Sequence, residues 1–365
     1  MARFSKIVWV RLTGIGAVII LISATQSDPP VASGPYSLSY PEYFGNRTYM
    51  PADNPITKQG VYLGRMLFYE TKLSSTNTIS CASCHRQSLA FTDGKAFSEG
   101  VNGQKADRSS MSLANLLWVK NFFWDGRVKG LEEQAEVPMI NPHEMNQSLL
   151  VSAAKLSRLK KYRRLFELVY GNDSITAGRI VRAIAQFERT LISSNAPYDQ
   201  YLRGGYQATT SEMNGMNLFM RIPDSRNNVR GASCGRCHGT PKMFIELFHN
   251  NGLDSIPADA GRQKLTGNAI DAGRFRVPTL RNIALTAPYM HDGRFATLEE
   301  VVDHYNEHIA ASPSLSPLLQ NVSNDAEGKT LGLTVNEKKD LVSFLHMLTD
   351  SSFIADKRFS DPNKN

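Results

Sequence analysis

Every cysteine in this chain lies in one of two copies of a five-residue pattern, Cys81-Ala-Ser-Cys84-His85 and Cys234-Gly-Arg-Cys237-His238. Cys-x-x-Cys-His is the attachment signal of c-type haem. Two thiols three positions apart can each form a thioether to the porphyrin edge, and the imidazole that follows then lies beneath the iron as its proximal ligand. The competing readings are a redox dithiol, which has no need of the histidine, a zinc site, which leaves both histidines unexplained, and two ordinary disulfides. Two copies that consume all four cysteines favour two covalent haems.

The amino end adds a compartment. Residues 1–24 read as an export signal: Arg3 and Lys6 form a basic head, Gly14 to Leu21 an apolar run, and Ile22-Ser23-Ala24 a small-residue cleavage site. Arg11 interrupts the apolar run, which leaves an uncleaved membrane anchor as the alternative. No other stretch approaches the ~20 apolar residues that span a bilayer. The expected location is the periplasm. The formal charge of +7 includes three basic residues of that segment, so it gives little support to a nucleic-acid partner, and none is expected.

The surroundings of the two haem motifs repeat. Leu67-Phe68 precedes the first and Leu218-Phe219 the second. Downstream, Phe123-Trp124-Asp125-Gly126-Arg127 with Leu131-Glu132-Glu133 mirrors Met290-His291-Asp292-Gly293-Arg294 with Leu298-Glu299-Glu300. Asn115 and Asn282 stand equally far before Trp124 and His291. The chain therefore reads as two related halves: a first haem domain over 40–200, a second over 201–350, and a tail over 351–365, with Gly204-Gly205 near the boundary. Apolar spacing predicts a helix over 149–169 and another over 174–191. Thr297 with Glu300, and Thr334 with Glu337, are capping-box signals opening helices to about 309 and 348. The fold class is mainly α.

These segments, together with Asn141-Pro142-His143-Glu144-Met145 and Val277-Pro278-Thr279-Leu280-Arg281-Asn282, resemble the bacterial di-haem cytochrome c peroxidase superfamily. The resemblance runs from about 40 to 350. It implies two cytochrome c-like domains with haems facing across an interface, His85 and His238 as proximal iron ligands, and Trp124 between the haems as electron relay. It makes Glu144 the acid–base group over the first haem, with Gln134 and Pro138 in the same pocket. It also implies a calcium ion near the interface, with backbone carbonyls from Thr286 and Pro288; Ser109 stands where one subgroup has an asparagine ligand.

Two departures point to one branch, that of MauG and MbnH. Many di-haem peroxidases carry a displaceable distal histidine on the peroxide-reacting haem, yet no histidine occurs between His85 and His143. Where those peroxidases place a methionine on the second haem, this chain has Tyr305, as that branch does. A phenolate is a hard anionic ligand that favours higher iron oxidation states, whereas a thioether raises the potential. The branch uses hydrogen peroxide to build a high-valent di-haem state and spends it on a side chain of a partner protein, tryptophan in known cases. Ala232 stands where MauG has a surface tryptophan, so the MauG substrate is not expected. His304 and His308 could ligate instead of Tyr305, and the stripe Leu298, Val301, Val302, Tyr305 would also suit a packed face. Two other functions remain in view: a peroxidase drawing electrons from a small cytochrome or cupredoxin, and a simple di-haem electron carrier.

Overall fold

A computed structural model describes residues 32–364; the expected export segment lies outside the described residues. The described part is mainly helical, with two short antiparallel ribbons, Asn121–Phe122 with Val128–Lys129 and Phe248–His249 with Phe275–Arg276. Among the described residues no helix is long and apolar enough to cross a membrane.

Each half is built on a closely packed helix pair. Lys58–Phe68 packs on Ala177–Glu188, and Thr210–Met220 packs on Val335–His346. The same device closes both contacts. A Cβ on Gly64 would stand 1.9 Å from the Ala183 carbonyl oxygen, and one on Gly215 would stand 1.9 Å from that of Asp340. Only a residue without a side chain lets the backbones meet at that distance.

The sequence repeat extends to backbone dihedrals. Asn115 and Asn282 are both left-handed, each with φ of 63°. Phe123 and Met290, one residue before Trp124 and His291, also have positive φ, at 63° and 74°. The Phe122–Val128 pairing recurs as a Tyr289–Phe295 bridge. Non-glycine residues rarely hold this conformation, so its recurrence at matched positions marks a conserved loop geometry between the halves. That loop aims Trp124 and His291.

Both capping boxes form: Thr297 and Thr334 accept from the backbone N–H groups of Glu300 and Glu337, which bond back. The helices they open run Leu298–Glu307 and Val335–His346. The helix expected over 149–169 is instead two, Leu149–Ser157 and Lys160–Tyr170, broken at Arg158 and Leu159. The break lets Leu156 on one side and Tyr162, Leu165 and Phe166 on the other all reach the interior. The helix expected over 174–191 runs Ala177–Glu188, with Thr176 as its cap.

The described residues include two apolar cores. One gathers Phe44, Phe68, Phe91, Leu117, Trp118 and Phe187; the other gathers Tyr198, Phe219, Met243, Phe344 and Leu348. The carboxyl-terminal segment folds back on the first core through Phe353 and Phe359. A fully buried ion pair, Asp199 with Arg281, joins distant parts of the sequence. Arg281 Nη2 donates to Asp199 Oδ1 at 2.8 Å, while the Tyr43 hydroxyl donates to the same oxygen at 3.0 Å.

Candidate active site

The first motif lies on a short helix, Cys81–Cys84, ending at His85. His85 Nδ1 is 2.8 Å from the Phe91 carbonyl oxygen, and burial holds the imidazole below its ordinary pKa. A neutral ring donating through Nδ1 leaves the Nε2 lone pair free for a metal. The second motif repeats this. His238 Nδ1 faces the Met243 carbonyl at 3.2 Å, and burial pushes its pKa down to about 4. None of the four cysteines is in a disulfide. Burial raises Cys84 to about 11 and Cys234 to about 12, which makes them poor redox thiols. Among the described residues no group of three or more His, Cys, Asp or Glu side chains is placed to hold a metal ion.

Glu144 lies in the Asn141–Asn146 loop, where its backbone carbonyl accepts from Val101 N–H at 2.8 Å. Its carboxylate accepts from Asn141 Nδ2 at 2.8 Å. Desolvation by burial raises its pKa, opposed by that bond and by Arg127. Its charge acts on both Cys81 and Cys84, so the carboxyl is within electrostatic range of the first motif. Gln134, on the helix Leu131–Ile140, has a buried Oε1 without a partner. Pro138 lies inside that helix and offers no N–H to the Gln134 carbonyl.

A cavity of about 560 Å³ opens beside the second motif, lined by Cys234, Cys237, His238 and Tyr305 among others. Asn251 Nδ2 donates to the Tyr305 hydroxyl at 3.2 Å and also faces Met290 Sδ at 3.4 Å. Burial raises the Tyr305 phenol to about 12, while the Asn251 bond favours the anion. His304 is turned elsewhere, its Nε2 3.1 Å from the Asn251 carbonyl; His308 is exposed. Ala232 is buried and its N–H is bonded to Leu218.

Trp124 also lines this cavity, although it belongs to the first half of the sequence. Its indole N–H donates to the Ser109 carbonyl at 2.9 Å, while Ser109 N–H and Oγ donate to the carbonyls of His291 and Met290 at 2.8 and 2.9 Å. The indole meets Phe275 and His291 edge-on, each at 6.4 Å between centroids, and Phe275 stacks on His291 at 3.9 Å. Arg108, bonded to Asp125 and Asp259, covers Phe275.

The family model for di-haem cytochrome c peroxidase matches residues 58–207. A methylamine utilization protein MauG from Methylorubrum extorquens is 35% identical over 302 residues, spanning 82% of this chain and 80% of that protein. The chain belongs to the di-haem cytochrome c peroxidase family. A cytochrome c551 peroxidase from Nitrosomonas europaea is 37% identical over 288 residues, or 73% of this chain and 81% of that one. A crystal structure of a MauG-like protein associated with microbial copper homeostasis superposes with a TM-score of 0.81 at 36% identity, over 90% of this chain and 99% of that one.

As a family member the chain carries two covalent c-type haems and is an oxidoreductase of the peroxidase type. The cavity beside the second motif suits one such haem. The cavity has apolar walls, and three of its lining residues hold buried polar atoms without partners: Arg276 Nε, His249 Nε2 and Ser233 Oγ. Buried polar atoms are seldom left unpaired, so these fit a polar-edged guest. Calcium has weaker grounds. Thr286 and Pro288 line the cavity, but a calcium site draws on 6–8 oxygens, usually with carboxylates, and the hydroxyl of Ser109 already serves the Met290 carbonyl. Calcium enters no step below. Of the site residues, sequence reading missed Asn251, His249 and Arg276; none belongs to a repeated motif.

Proposed function

We propose that this chain is an exported, periplasmic enzyme that uses hydrogen peroxide to oxidise a side chain, tryptophan by preference, of a partner protein. The observation that carries the proposal is Tyr305: it shares a cavity with Cys234, Cys237 and His238, and its oxygen receives a hydrogen bond from Asn251. Cys81 and Cys84 would attach one haem and Cys234 and Cys237 the other, and His85, His238 and Tyr305 are the side chains that would ligate the irons. When bound, the haems would supply the redox chemistry, a two-electron reduction of peroxide and one-electron oxidation of a donor.

The chain's own groups do the rest. Glu144 is the proton carrier: reduction of peroxide to two water molecules consumes two protons and two electrons, and its raised pKa suits both taking and giving a proton. Gln134 Oε1, buried and unpartnered, accepts a hydrogen bond from peroxide or water held near Glu144. Trp124 is the relay, fixed through Ser109 and packed against Phe275 and His291. Asn251 stabilises the Tyr305 oxygen as an anion.

One observation favours a second reading. Met290 Sδ lies beside the same Asn251 amide, so a sulfur ligand is within the cavity, and a sulfur-ligated second haem would suit a peroxidase fed by a small cytochrome or cupredoxin. The test is to mix holoprotein with one equivalent of peroxide, without donor, and record the near-infrared spectrum, then to assay turnover with reduced cytochrome c. The proposal predicts a long-lived charge-resonance band and slow cytochrome turnover. Fast turnover without the band supports the second reading.

A further inference from the structure

Arg276 has no use in the chemistry described so far, yet it is placed at unusual cost. Only 5% of it is exposed, it lines the cavity beside Tyr305 and His238, and its Nε has no acceptor. The contact made by its Nη2 is a thioether, Met111 Sδ at 3.4 Å. The carboxylate that feels its charge, Glu246, is already engaged: Glu246 Oε1 accepts from the backbone N–H groups of Lys120 and Asn121 and from Asn121 Nδ2. An unpaired buried cation costs several kcal/mol, so a guest that supplies an anion would be held strongly here. Its neighbour on the same ribbon, His249, has a similar vacancy. His249 Nδ1 is paired with Ser316 Oγ at 3.0 Å, whereas Nε2 is buried without a partner.

A c-type haem has such anions. Its thioethers consume the vinyl groups and leave two carboxylates on the rest of the ring edge. We propose that Arg276 is the counter-cation of a carboxylate of the haem attached through Cys234 and Cys237, and that His249 Nε2–H donates a second hydrogen bond to that carboxylate group. The site is also tied to the relay, because Arg276 N–H donates to the Trp124 carbonyl at 2.6 Å. Arg276 is thus a positioning and charge-setting residue, and not a catalytic one. The inference rests on the second haem occupying this cavity, and is independent of its sixth ligand.

The experiment compares wild-type holoprotein with Arg276→Gln, Arg276→Lys and His249→Leu. Haem stoichiometry by pyridine haemochrome comes first, followed by redox titration of the second haem and resonance Raman of the propionate bending modes. Loss of a cation beside the haem favours Fe(III). Arg276→Gln should lower the equilibrium constant for reduction about tenfold, ~59 mV for one electron, and shift a propionate band, with Arg276→Lys recovering most of the potential. His249→Leu should shift the same band with a smaller change in potential, and decides the matter if Arg276→Gln does not load haem. Unchanged potential and unchanged Raman band in variants that carry both haems would overturn the inference. Unaltered EPR g-values for the second haem separate this outcome from any failure of the Tyr305 assignment.

Discussion

Replacing Asp199 with asparagine tests how a buried ion pair holds distant parts of the sequence together. Asp199 and Arg281 are both fully buried. The carboxylate also accepts from Tyr43 and from the Ala196 backbone N–H at 2.9 Å, while Arg281 reaches the Pro241 carbonyl. Asparagine keeps the shape and some of these hydrogen bonds but removes the negative charge, leaving the guanidinium uncompensated. Removing one partner of a buried pair costs ~3–5 kcal/mol, a large share of the 5–15 kcal/mol typical of a folded protein. Guanidinium unfolding of the holoprotein, followed by circular dichroism, should give a lower midpoint with an unchanged slope. The double change Asp199→Leu with Arg281→Met should recover most of the loss, since well-packed apolar pairs often match buried ion pairs. A cost below ~1 kcal/mol for Asp199→Asn would refute the reasoning.

The remaining predictions concern the site. Glu188 is buried with an unpartnered Oε2, and burial raises its pKa from 4.5 to about 8. Its folded pKa exceeds its unfolded one, so stability is whole below pH 4.5 and falls as pH rises through 8, by ~1.4 kcal/mol per unit. Glu188→Gln should flatten this slope in denaturation curves measured at several pH values, and an unchanged slope would exclude Glu188 as its source. Glu144→Gln should slow the reaction with peroxide by ~10²–10⁴-fold in stopped-flow absorbance, with both haem spectra intact; a normal rate would remove Glu144 from the mechanism. Trp124→Phe preserves a ring against Phe275 and His291 but loses the bond to Ser109. It should abolish the near-infrared band while costing only about 1 kcal/mol of stability, and persistence of the band would send the relay elsewhere.

The sequence made the repeated features legible because repetition is a signal that composition cannot imitate. Both haem motifs, the Trp124/His291 correspondence and the capping boxes at Thr297 and Thr334 could be read from spacing, and the matched left-handed residues at Asn115 and Asn282 show why the correspondence holds. The break at Arg158 and Leu159 could not be read, because apolar residues continue on both sides at helix-like spacing and only tertiary packing favours a turn there. The polar groups around the cavity were hidden for a different reason. Arg276, His249 and Asn251 acquire meaning only once a cavity exists to leave their atoms unpaired, and single polar residues in loops have no periodicity to betray them. Tyr305 was visible as a position but not as an environment. Its helix face would suit a packed core equally well, and the helix pattern carries neither the Asn251 contact nor the place on the cavity wall.

The mechanism depends most on whether Tyr305 ligates the second haem beside His238. Resonance Raman of the ferric holoprotein, excited in a phenolate-to-iron charge-transfer band and repeated on Tyr305→Phe, tests it directly. Phenolate modes should appear in the wild type and vanish in Tyr305→Phe, together with a changed second-haem spectrum. Identical spectra in the two proteins, or a sulfur-to-iron band assigned to Met290, would contradict it.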